Sequence, residues 1–488
     1  MKERKLSNIE PANVLGYFED LTEIPRESGN EKEVSDYLMA FAKANELECH
    51  QDEYNNVLIK KKASPGYEDH KGVILQAHMD MVCEKNPDFD CDFSKDPISF
   101  DVEGDIIIAK NTSLGADDGI GVALALAILA DKDLKHPPLE FLCTTDEERG
   151  MSGIENFNFD LLTGDRVINL DSDDEGVIVV GCAGGPVVRI ELPITRVDLG
   201  ESGAYDFLKI KIRGLKGGHS GEDIHRGGAN ANKLLNRVLI EINEECGMDL
   251  VDITGGLQYN AIPRAAEAVI RVAGDKKKDA ESIVEKYQRI FASEYRVNDS
   301  GIELSCEDDN SAYTTALSAA SKSAVLDYIL LSETGIVRMD ADFPAFVESS
   351  LSLGVVNIEG DKAVIWTMTR SSVESQYNLM FKKIVRLTEL FNGSYTVMSN
   401  CPHWQYRSDS EMKALYEEIY EEMFGKKTSF MILHAGVEPS EFAKNIDREL
   451  DMISLGPDVR HLHAPGEYFS ISSTGRVWSS LLKLLERL

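Results

Sequence analysis

VILQAHMDM at residues 73–81 and LEFLCTTDEERGMSG at residues 139–153 each run an apolar segment of strand length straight into polar, metal-ligating side chains. A third segment, VINLDSDDEG at 167–176, repeats the design. Between the first two lies a helix-like stretch, Gly119 to Ala130, so strands alternate with helices, which predicts an α/β domain with a largely parallel sheet. In such sheets ligand sites gather at the carboxyl ends of the strands, where these acids and histidines fall.

Outward from that core, NEKEVSDYLMAFAKANEL (30–47) puts Val34, Leu38 and Phe41 on one helical stripe, with Asn30 and Glu33 as a capping pair. From Phe207 the order changes to strand, helix (Ala229 to Ile242), strand, strand (Ala265 to Val272), helix (Ala280 to Ala292), strand (Ile302 to Cys306), a ferredoxin-like order. A similar run follows: a helix from Thr315 to Leu331, strands at Ser350 to Asn357 and Ala363 to Met368, and a helix from Ser375 to Phe391. Beyond Ser399 the α/β rhythm returns, with a helix from Glu411 to Met423, strands at Phe430 to Leu433 and Met452 to Leu455, and an amphipathic helix to Leu488. The expected architecture is a catalytic α/β domain built from residues 1–186 and 400–488, interrupted by an α+β, ferredoxin-like lid at 187–399. The Gly-rich stretch at 181–185 is the expected first crossing.

The chain's 488 residues exceed one hydrophobic core, and its 43% apolar content suffices for two. A formal charge of −33, spread along the chain, repels phosphate backbones and argues against a nucleic-acid partner. The eight cysteines are scattered without a CxxC pair and read as reduced thiols. The opening MKERKLSNIEPANVLGYF lacks a signal peptide's apolar core, and no run of about 18 apolar residues occurs, so neither export nor a membrane span is expected. A cytoplasmic location follows.

The strand-end residues supply the chemistry. His78 and Asp80 leave one strand on the same side, so the carboxylate can reach the imidazole's second nitrogen and orient a metal-bound histidine. In NTSLGADDGIG (111–121), Asp117 and Asp118 occupy a glycine-flanked turn where a carboxylate can bridge two cations, or cap the following helix. Asp146, Glu147 and Glu148 are consecutive acids that repel one another unless a cation compensates them. One glutamate can ligate while its neighbour stays free as a general base. Asp171 ends the third strand. GPDVRHLHAPGE (456–467) adds His461 and His463, either of which can be a ligand. Together these nitrogen and oxygen donors suit zinc, or manganese or cobalt, and two such ions about 3.5–4 Å apart can activate a water and a scissile carbonyl.

The motifs AHMDM, GADDGIG, TTDEERGMSG, INLDSDDEG and LHAPGE resemble, in order and spacing, the dinuclear zinc aminoacylase/carboxypeptidase-type metallopeptidases, and within them the Xaa-His dipeptidase branch. The resemblance implies that His78 and Asp171 hold one metal, Glu148 and His463 the other, and Asp117 bridges them. It implies Asp80 as the residue orienting His78 and Glu147 as the general base. In the middle segment, GLKGGHSGEDIH (214–225) and YNAIPRAA (259–266) extend the likeness. There His219 would stabilise the oxyanion, while Asn260 and Arg370 would hold the substrate's terminal carboxylate. Glu438, in HAGVEPSEF (434–442), counts as a further substrate-binding residue. Two positions depart from the pattern: Asp118 stands where asparagine is usual, and Pro439 where cysteine is. The implied activity is hydrolysis of a small peptide, Xaa-His dipeptides above all, with a possible homodimer formed through the lid.

Overall fold

The computed structural model describes residues 4–200, 205–341 and 343–488. The chain forms two compact units: one comprises the chain through Gly181 with Tyr406–Ile432 and Val437–Leu488, the other Cys182–Gln405 with Leu433–Gly436. The sequence reading put the crossings at 186/187 and 399/400, a few residues from these divisions, and did not anticipate the short return at 433–436.

The first unit is built on an eight-stranded sheet in the order Glu48–Gln51, Val57–Lys61, Leu139–Thr144, Val73–His78, Arg166–Asn169, Asp451–Ser454, Val177–Cys182, Ser429–Leu433. Its four central strands, 139–144, 73–78, 166–169 and 451–454, run parallel. The first two strands form an antiparallel hairpin that pairs antiparallel with 139–144, and 451–454 meets 177–182 antiparallel, so the parallel part is narrower than expected. The strands 73–78 and 139–144 are buried at every residue. Helix Ala116–Ala130, ADDGIGVALALAILA, is buried on nearly all sides, as its unbroken apolar composition requires. The terminal helix Ile471–Arg487 is amphipathic: Val477, Leu481, Leu484 and Leu485 face the core, and Ser470 caps it by accepting from the Ser473 amide. The anticipated cap at Asn30 is not used, because that helix begins at Lys32 with no side-chain cap, and Glu31 accepts instead from the Gly29 amide at 2.6 Å. Among the described residues no helix is long and apolar enough to cross a membrane.

The second unit holds two halves of one design. Strand Tyr205–Arg213, helix Ala231–Glu245, strands Asp249–Gly255 and Ala266–Ala273, helix Lys277–Glu294 and strand Glu303–Asp308 make a βαββαβ unit. The other half is strand Gly185–Pro193, helix Ala319–Leu331, strands Val347–Glu359 and Lys362–Ser371, helix Glu374–Leu390 and strand Ser394–Cys401. In both halves the fourth strand lies outermost, beside the first, then the third, then the second. The two second strands meet at the pair Gly255 and Val356, making one antiparallel sheet over a continuous core that runs from Val188 to Ile384.

Candidate metal centre

Because strands 73–78, 139–144 and 166–169 are parallel neighbours, with His78 opposite Thr144 and Gln76 opposite Asn169, the residues that follow them emerge at one sheet edge. Asp117 joins them from the first turn of helix Ala116–Ala130, whose backbone is non-helical at Asp117 (ψ 114°) and whose Asp117–Asp118 peptide is cis. His463 enters from the loop before strand Tyr468–Ser470.

The side chains converge. His78 Nε2 lies 3.0 Å from Asp117 Oδ1 and 3.8 Å from Asp171 Oδ1. His463 Nε2 lies 3.1 Å from Asp117 Oδ2 and 2.9 Å from Glu148 Oε1. Asp117 thus offers one oxygen to each imidazole. Asp118 is turned away from His463: its carboxylate accepts from the backbone amides of His78 (3.3 Å) and Gly121 (3.1 Å), although one oxygen also falls within a possible donor group with His78 and Asp171. Two further groups, His78 with Glu147 and Glu148, and Asp117 with Glu148 and His463, keep their donor atoms within 4.8 Å of one another. His461 is absent from these groups.

Asp80 stands behind His78. Its Oδ1 is 3.5 Å from His78 Nδ1 and accepts from the Glu147 amide at 3.1 Å, while Oδ2 accepts from Ser28 Oγ at 2.7 Å and the Glu148 amide at 3.3 Å. One buried carboxylate therefore lies against His78 and accepts from both amides of the Glu147–Glu148 pair. The backbone contacts and Ser28 were not foreseen from sequence, since the only sign of Ser28 is a polar residue in a loop some 50 positions upstream.

Burial sets the electrostatics. It drives Glu147 up to about 8, with Glu438, Glu148 and Asp117 adding to the effect and His78 opposing it. Burial also raises Asp171 and Asp118, each beside Asp117. His463 is pushed up to about 10 by its contacts with Asp117 and Glu148. His78 is raised as well, because Asp117, Asp80 and Asp171 outweigh the burial that opposes its charge. Asp117 goes the other way: burial opposes ionisation, yet the two imidazoles hold it ionised. Two imidazoles do not balance this many carboxylates, and Glu148 Oε1 is buried without a hydrogen bond of acceptable geometry. Such a set of nitrogen and oxygen donors fits divalent cations.

Glu438 lies against the strands that carry the site. It is fully buried in the first unit, where Oε2 accepts from Gln76 Nε2 and from Thr144 Oγ1 at 2.8 Å. Through Oε2 the side chain braces strands 73–78 and 139–144, while its Oε1 is buried without a hydrogen-bond partner.

The remaining expected residues lie in the second unit. His219 Nε2 is 3.3 Å from an Arg370 Nη2 that also meets Met368 Sδ at 3.3 Å. Arg370 is 5% exposed, its Nε has no hydrogen-bond partner, and no carboxylate lies within ion-pair distance of it among the described residues. Burial, then Arg370, lowers the His219 pKa and pushes His434 down to about 3, so both imidazoles stay neutral. His434 Nε2 is 2.7 Å from Ser350 Oγ, which pairs with Arg370 across the strands. Asn260 sits in the turn before strand Ala261–Ile262, its carbonyl accepting from the Ser220 amide at 2.8 Å.

Comparison with known proteins decides the family. The family model described as peptidase family M20/M25/M40 matches residues 74–487. The chain belongs to that family and is a metallopeptidase. Among relatives of this M20 chain, the cytosol non-specific dipeptidase of Escherichia coli strain K12 is 37% identical over 484 residues, 99% of each chain. The structure of aminoacylhistidine dipeptidase from Vibrio alginolyticus superposes with a TM-score of 0.93 at 34% identity, covering 100% of this chain and 98% of that one. A tripeptidase from Staphylococcus aureus shares the fold, with a TM-score of 0.56 at 16% identity and 98% of each chain covered. The resemblance drawn from five short motifs is thereby borne out at the level of the family.

Proposed function

We propose that this M20 metallopeptidase is a cytoplasmic dipeptidase that uses two divalent cations, zinc by its donor set, to hydrolyse Xaa-His and related dipeptides. The observation that carries the reading is Asp117, held with one carboxylate oxygen toward His78 and the other toward His463. On this reading His78 with Asp171 makes one site, His463 with Glu148 the other, and Asp117 bridges them. When bound, the cations polarise the scissile carbonyl and acidify the attacking water.

The chain's own residues do the rest. Glu147 takes the proton from the attacking water and returns it to the leaving amine. Asp80 keeps His78 in the tautomer that presents Nε2 for ligation. His219 donates a hydrogen bond to the carbonyl oxygen as charge develops there. Arg370, a buried guanidinium with an unpartnered Nε, pairs with the substrate's terminal carboxylate, and Asn260 assists it. The names of the Escherichia coli and Vibrio relatives support a dipeptide substrate. A homodimer through the second unit is supported by one of its two edge strands, Ser394–Cys401, which exposes Tyr395, Val397 and Met398; a monomer mass by light scattering would overturn that part.

The test is a panel of Xaa-His dipeptides, other dipeptides, tripeptides and N-acyl amino acids. Dipeptides with both ends free should be cleaved, Xaa-His among the best. Fastest turnover of N-acyl amino acids or tripeptides would reject the reading. Equal cleavage of all dipeptides would favour a broad dipeptidase, the alternative that the description of the Escherichia coli relative suggests.

A further inference from the structure

Two buried side chains of opposite charge sit beside the metal centre, and the mechanism does not use them. Glu467 is 2% exposed and turns its carboxylate onto the segment 114–117. Its Oε2 accepts from the amides of Leu114 (2.7 Å) and Gly115 (3.1 Å), and its Oε1 from those of Ala116 (2.7 Å) and Asp117 (3.4 Å). Four successive amides converge on one carboxylate because Gly115 takes the left-handed conformation, φ 68°. Arg26, also 2% exposed, grips the carbonyl side of the same turn: Nη2 donates to the Gly115 carbonyl, and Nη1 to those of Met79 (3.1 Å) and Asp80 (3.2 Å). Its guanidinium fills the space left by missing side chains, since a Cβ at Gly119 would stand 2.6 Å from Nη2.

These contacts go to backbone, and together they join three ligand-bearing segments. Arg26 ties the strand end that carries His78 to the turn that carries Asp117. Glu467 ties that turn to the loop that carries His463, four residues upstream. We propose that Glu467 and Arg26 are positioning residues of the metal centre, which hold His78, Asp117 and His463 at ligating separations before any cation binds. The inference rests on the metal-centre reading above. Replacing Glu467 by Gln keeps the shape but leaves one acceptor oxygen and sets an amide NH2 against N–H donors. Arg26→Lys keeps the charge and loses the fork that reaches three carbonyls.

The experiment titrates zinc into metal-free wild type, Glu467→Gln and Arg26→Lys against a chromophoric chelator, at a temperature where circular dichroism finds each protein folded. Both variants should bind zinc about 10- to 100-fold more weakly than wild type. Cobalt loading gives a second readout, because displaced ligands alter its visible absorption. Variants that bind two zinc ions with wild-type affinity and give the wild-type cobalt spectrum would overturn the proposal, even if they unfold at lower temperature. Should Glu467→Gln fail to fold, Glu467→Asp, which keeps the charge with a shorter reach, is judged by the same criteria. Wild type that binds no zinc would sink the metal-centre reading itself, a different result from variants that match a zinc-binding wild type.

Discussion

In the unit that carries His78 and His463, carboxylates crowd around two imidazoles, and burial, with the neighbouring acids adding to it, drives Glu147 up to about 8. In the unit that carries Arg370, burial isolates a guanidinium beside His219 and His434, imidazoles whose pKa values burial, and then Arg370, push down. One cluster calls for cations and the other for an anion. On the proposed function, activation of water and carbonyl would fall to the first cluster, and recognition of a substrate's negative end to the second. Substitutions in the two clusters should therefore leave different kinetic signatures.

The largest effect is expected at Glu147. Glu147→Ala should lower kcat by about 10³- to 10⁴-fold while the protein keeps its metal, because the base is lost and the ligands remain. Steady-state kinetics with elemental analysis checks it, and substantial residual kcat would break the assignment. Glu148→Ala should instead lose metal from the His463 site. Arg370→Met should cost about 3 kcal/mol, roughly 150-fold, in kcat/KM toward dipeptides with a free carboxylate, and much less toward their C-terminal amides. If acids and amides suffered alike, the second cluster would not be an anion site. Asp80→Asn should weaken metal binding by about 10- to 100-fold, read by chelator competition.

The smallest effect is a proton count. Without metal His463 has a pKa pushed up to about 10, so at pH 7 it is protonated and must release a proton to ligate. Calorimetry of zinc binding in buffers of different ionisation enthalpy should register net proton release at pH 7, diminishing as pH rises toward 10. No release at pH 7 would contradict a raised pKa for a ligating His463.

The comparison also explains what was legible in the sequence. His78, Glu147, Glu148 and Asp171 follow contiguous apolar strands, and parallel pairing carries each to the same edge, so local pattern sufficed. The relation of the second unit's halves was harder: the second half takes its first strand, Gly185–Pro193, from before the whole first half, and periodicity does not report pairing across such a distance. Asp117 and Asp118 were separable only by a backbone kink. The partners of Glu438, Gln76 and Thr144, sit far away in sequence on strands that read as plain apolar core, so that contact was not legible. Asp80 was read as orienting one histidine, and its hold on the Glu147 and Glu148 amides needed the folded turn.

The central claim is that the strand-end residues of the first unit hold two divalent cations on which peptide cleavage depends. The direct measurement is elemental analysis of the purified protein, stripped by chelator and then reconstituted with zinc, with histidine release from an Xaa-His dipeptide assayed at each stage. The account predicts about two metal ions per chain, loss of cleavage on stripping and its return on reconstitution. Cleavage that persists undiminished in stripped protein would contradict it.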